Sequence, residues 1–199
     1  MKTPDPLVRD LMPVLIHKLG NTTQLLTGLN AMLGIDGGEE IFVERTDDLG
    51  RASSDVHRLG YALAVLGSAG GSNLLLARRD PRGLEILLEL VHASLRRNGR
   101  SLSCPAIPDL APSALAGWQL PWALASLVHA RGLGAAEGES VTFGLGRTDE
   151  AWIFGVGECE ETSAATDRIL AHLPGAETGR EGGEILLHLP TGWLVEPTG

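Results

Sequence analysis

The sequence predicts an α+β chain in which a long antiparallel helical hairpin precedes a compact α/β sandwich. Three observations predict it. Two apolar stripes with helical spacing fill the first third of the chain, separated by a short glycine-containing turn. Beyond about residue 80 the apolar period changes, and short β-rich runs are interleaved with further helices. Neither a repeat nor a low-complexity tract calls for another architecture.

The first stripe is Val8, Met12, Leu15, Leu19, Thr22, Leu26, Leu29 and Leu33, in alternating steps of four and three that bring side chains to one seam of a packed helix. Pro6 suits a first helical turn and Gly34 a helix end, so the helix is expected over residues 6–33. Placing the stripe at heptad positions a and d puts His17 at f, with Asp10 and Gln24 also at f and Asn21 at c. The helix therefore offers an imidazole to solvent among polar neighbours. Residues 34–38 read as a turn. A second stripe, Leu49, Ala52, Val56, Leu59, Leu63 and Leu66, predicts a return helix over residues 39–66. Stripes this long exceed what one hairpin covers by itself, which predicts a homodimer with a four-helix bundle; cover from the second half of the chain is the alternative.

In the second half, Asp80 and Pro81 read as an N-cap and first helical residue, and Leu84, Leu87, Leu88, Val91 and Leu95 mark the buried face of the helix that follows. Residues 101–104, 140–145, 151–156 and 184–189 are expected as strands, and residues 121–131 and 164–173 as helices. Residues 179–183 read as a loop before the closing strand. The boundary is placed between Gly70 and Asp80, giving a hairpin over residues 1–76 and a sandwich over residues 77–199.

A formal net charge of −9 without a block of lysine and arginine argues against nucleic-acid or anionic-membrane partners. The start of the chain lacks the features of a signal peptide, and the uncharged stretches 61–77 and 111–130 contain glycine or proline and read as core segments with turns. A cytoplasmic protein is expected. Cys104 and Cys159 suggest neither a zinc cluster nor a disulfide framework and are read as small core residues. His57, His92, His172 and His188 form no metal-ligand spacing, and no cofactor or metal site is expected. Trp118 and Trp122 are expected to pack under the sheet.

The stretch Ile16-His17-Lys18-Leu19-Gly20-Asn21-Thr22-Thr23-Gln24 resembles the H-box of two-component histidine kinases and dimeric histidine phosphotransferases. Residues 84–102 resemble the helix and first strand that open that family's ATP-binding domain, and residues 182–190 its closing strand. The departures fall on the nucleotide machinery. His129 stands where kinases carry the magnesium-holding asparagine, and a hard magnesium ion prefers oxygen ligands. His129 itself reads as a core or boundary histidine. Ile153-Phe154-Gly155-Val156-Gly157-Glu158 lacks the adenine-reading aspartate, no glycine-rich lid lies between Glu161 and Arg180, and Lys18 replaces the acidic residue that usually follows the phosphoacceptor.

A kept histidine with a degraded ATP site implies a phosphorelay histidine phosphotransferase, with His17 as phosphoacceptor exchanging a phosphoryl group with receiver-domain aspartates of response regulators. Lys18 would neutralise transferred charge, and Asn21 would hold the imidazole or a phosphoryl oxygen. The receiver would bring the magnesium. Two other readings compete: a non-catalytic dimeric adaptor that regulates a response regulator or kinase, and a residual ATP-dependent kinase.

Overall fold

The computed structural model describes residues 5–71, 83–104, 111–112 and 117–195. Helix α1 spans Pro6–Met32, opened by Asp5, whose side chain accepts hydrogen bonds from the backbone N–H groups of Leu7 and Val8 at 2.9 and 3.2 Å. Pro6 occupies the first turn, as expected. The return is two helices, α2 over Gly38–Glu44 and α3 over Thr46–Ala69, in place of the continuous helix expected. At the break the Thr46 hydroxyl donates to the Val43 carbonyl at 2.8 Å, and Arg45 donates to Asp48 at 2.9 Å. Local side-chain bonds of this kind compete with the helical ladder.

Helix α4 covers Gly83–Arg96; its expected cap at Asp80 and Pro81, and the expected boundary, lie outside the described residues. Then come β1 (Ser101–Ser103), β2 (Ala111–Pro112), α5 (Gln119–Gly134), β3 (Ser140–Arg147), β4 (Ala151–Gly157), α6 (Glu160–Leu170), β5 (Glu177–Glu181), β6 (Glu184–Pro190) and, after one turn of 3-10 helix, β7 (Leu194–Val195). The fold is α+β, a helical hairpin followed by a mixed sheet with helices. Among the described residues the main sheet runs β1-β3-β4-β6-β5, with β1 parallel to β3 and the other pairs antiparallel. A small pair, β2 with β7, completes the strands described.

Strand β5 corrects the expected loop over residues 179–183. Gly182 (φ 59°) and Gly183 (φ 83°) form a two-residue turn between β5 and β6, both with the positive φ that such hairpins demand. The two glycines were the hairpin signal in the sequence.

One continuous core joins the two halves. Val141, Phe143, Trp152, Phe154, Ile185 and Leu187 belong to the same buried cluster as α4 and α5 residues, and Phe143 stacks on Phe154 at 5.2 Å. Leu7, Leu11 and Val14 of α1 join that cluster with Leu87, Leu90 and Val128, so the start of α1 is buried on a face outside the expected seam. Cys104 is exposed and Cys159 half-buried, Cys159 standing at the N-cap of α6, which corrects their reading as core residues.

Candidate functional site

Helix α1 presents the candidate residues. Its buried column toward α3 is Leu15, Thr22 and Leu29, and His17 lies off that column, exposed. Asn21, one turn on, brings Nδ2 to 3.5 Å from His17 Nε2. At that position Nε2 accepts from the amide N–H in the tautomer that carries the ring proton on Nδ1. Gln24 is exposed as expected, whereas Asp10 is half-buried against α5.

Lys18 and Asn21 also line a pocket of about 280 Å³ between α1, α3 and α4. Thr22, Leu59 and Ile86 supply part of its wall, and Asp55, Arg58 and Glu89 supply further charge. Glu89 of α4 bridges the two cations: Oε1 accepts from Arg58 Nη2, and Oε2 lies 3.8 Å from Lys18 Nζ. Arg58 keeps its proton firmly. Burial works against its charge, but the hydrogen bond to Glu89 and the fields of Glu89, Glu85 and Asp55 outweigh that and raise its pKa above the ordinary value. Its Nε–H is buried without an acceptor. Sequence reasoning missed Asp55, Arg58 and Glu89, which lie on two separate stretches of chain, α3 and α4, and carry no local motif; tertiary packing alone brings them to Lys18 and Asn21.

His129 is 2% exposed in the middle of α5 and is a core histidine. Its Nε2 stands 3.4 Å from Asp10 Oδ2 without making a hydrogen bond. Burial lowers its pKa below 6.5, more strongly than Asp10 and Asp5 raise it, and Arg9 adds to the lowering. The ring is therefore held neutral near pH 7.

The remaining sequence candidates are dispersed. His92 Nδ1 lies 3.2 Å from the Leu102 carbonyl and ties α4 to β1. Trp118, Trp122 and His172 form one aromatic group, Trp122 meeting His172 edge-on at 5.3 Å and Trp118 at 5.8 Å. Gly157 lies against Arg131, whose Nε would be 2.8 Å from an added Cβ, and Gly182 and Gly183 are committed to the β5–β6 turn. Among the described residues no three or more His, Cys, Asp or Glu side chains are grouped to hold a metal, and no helix is long and apolar enough to cross a membrane.

No protein-family model and no curated protein matches the chain in sequence. Among solved structures it is similar to the histidine kinase AdeS of Acinetobacter baumannii, at 13% identity and a TM-score of 0.38, over 83% of this chain and 94% of that one. It is also similar to a bacterial phosphotransferase, at 10% identity and a TM-score of 0.37, over 94% of this chain and 97% of that one.

Proposed function

We propose that the chain is a phosphorelay histidine phosphotransferase in which His17 accepts a phosphoryl group from a receiver-domain aspartyl phosphate and passes it to another receiver, without ATP. The observation that carries this reading is an exposed His17 whose Nε2 faces the Asn21 amide at 3.5 Å, on a helix bearing an H-box resemblance. The Nε2 lone pair would attack phosphorus while the bond from phosphorus to the aspartate oxygen breaks, the carboxylate leaving with the electron pair. The ring proton stays on Nδ1 during that step. For that attack the Asn21 amide moves off Nε2 and donates to a phosphoryl oxygen of the incoming group, and Lys18 offsets charge carried by the group. The resemblance assigns any magnesium to the receiver.

A homodimer belongs to the proposal. Each apolar stripe divides into two columns: Leu15, Thr22 and Leu29 of α1 and Ala52, Leu59 and Leu66 of α3 are buried, while Leu26 and Leu33, and Val56 and Leu63, are half-covered or exposed. Two seams per hairpin are what a four-helix bundle uses. Val43 (70% exposed) and Ile35 (57%) extend the open surface past the hairpin tip.

The test is incubation with phosphorylated receivers from the same genome. Wild type is expected to gain acid-labile, base-stable label, and His17→Gln, which keeps a polar surface without the nucleophilic nitrogen, is expected to gain none. Label persisting in His17→Gln would refute the assignment. Tight receiver binding without transfer for any pair would favour the adaptor reading.

A further inference from the structure

We propose that Glu89 is an internal competitor for an anion subsite beside His17: its carboxylate occupies the Lys18 and Arg58 face of the pocket at rest, and an anionic group of the incoming phosphoryl donor takes that face in its place. The inference deepens the phosphotransfer reading and rests on it for the identity of the donor.

Asn21 connects the two places, since it both faces His17 Nε2 and lines the pocket. An anion held there lies one side chain from the phosphoacceptor. The donors are under-used. Arg58 binds Glu89 through Nη2 but leaves Nε–H buried with no acceptor, an unfavourable state that an anionic oxygen would relieve. The Lys18 ammonium, at 3.8 Å, is beyond hydrogen-bond length from the carboxylate that balances it.

Charge explains why the pocket needs a competitor. Lys18 and Arg58 are matched among its lining residues by Asp55 and Glu89, so the lining is neutral while Glu89 stays in place. Withdrawing Glu89 leaves a net positive lining for an incoming anion. Glu85 adds negative field at Arg58 from outside that lining. Glu89 is also suited to leaving, because its side chain is 42% exposed and sits on α4, whereas both cations sit on the hairpin. Occupancy of the subsite is thereby coupled to the contact between α4 and the hairpin.

The test titrates inorganic phosphate into the full chain at constant ionic strength, following the ring signals of His17, identified by their loss in His17→Gln, and the Asn21 side-chain amide. Glu89→Gln is isosteric and is expected to bind phosphate about fivefold more tightly than wild type, the scale of one partly exposed charge. Adding Arg58→Gln to Glu89→Gln should abolish that gain. Glu89→Ala repeats the comparison with a truncated side chain. Equal phosphate affinity in wild type and both Glu89 variants, or a gain that survives Arg58→Gln, overturns the proposal. A purely structural Glu89 would move the urea midpoint and leave phosphate affinity unchanged, which also overturns it. Phosphohistidine formation does not enter the readout: the fivefold gain, together with no label on His17 in the incubation with phosphorylated receivers, would remove the phosphotransfer reading and support the subsite.

Discussion

At the scale of single residues, the two histidines with the most distinctive surroundings differ by burial. His17 stands in solvent beside Asn21, while His129 is enclosed between α1, α5 and α6 with Asp10 and Asp5, Arg9, Glu161 and Arg168 around it. The His129 ring titrates below 6.5 in the fold because burial disfavours its charge, whereas in the unfolded chain it titrates near the ordinary value. Below about pH 6.5 the unfolded state binds a proton that the native state refuses, so stability is full above that pH and falls as the pH is lowered through it. Urea unfolding at about pH 7.5 and about pH 5.5 should show wild type losing roughly 1 kcal/mol more than His129→Leu between the two conditions. Parallel losses would show that His129 is not the group responsible.

At the scale of elements, the same glycine-to-alanine change should have opposite signs in two places. Gly183 has φ 83° in the β5–β6 turn, and a Cβ there meets no atom within 4 Å, so its cost is the backbone conformation alone. Gly183→Ala is expected to destabilise by about 1 kcal/mol. Gly50 sits within α3, exposed and likewise free of contacts within 4 Å. Gly50→Ala should stabilise by up to about 1 kcal/mol, through helix propensity and a less flexible unfolded chain. Urea midpoints moving the same way in both variants would contradict the assignment of one to a left-handed turn and the other to a helix. The elements also show where local reading fell short: the α2–α3 break at Arg45 lies inside the expected return helix, ahead of the Leu49 to Leu66 stripe, and the short polar strand β5 has no apolar alternation to mark it. Its burial pattern is almost wholly exposed because it is the edge of the sheet.

At the scale of the whole molecule, the question is what meets the open columns of α1 and α3. Val56 (44% exposed) and Leu63 (38%) repeat at one heptad position on α3, away from its buried column. Carboxylates there should leave the subunit folded, because neither side chain is buried in it, but should oppose hairpin pairing by placing charge in an apolar seam. Light scattering on Val56→Asp/Leu63→Asp is expected to give half the wild-type mass, with far-UV circular dichroism retained. A wild-type mass of one chain would remove the dimer from the proposal.

The sequence by itself determined the α+β class, the two apolar helices, four of the strands and the exposure of His17 beside Asn21, because each follows from local periodicity or spacing. Tertiary structure decided what periodicity does not encode. It chose which column of each stripe is buried, brought Leu7, Leu11 and Val14 of α1 onto α4 and α5, and turned Asp10 toward His129. It also placed Glu89 against Lys18 and Arg58 beside the candidate phosphoacceptor. The physical reason is that a heptad specifies an apolar face without naming the surface that will cover it, and charged residues on α1, α3 and α4 acquire a shared site only when those helices pack.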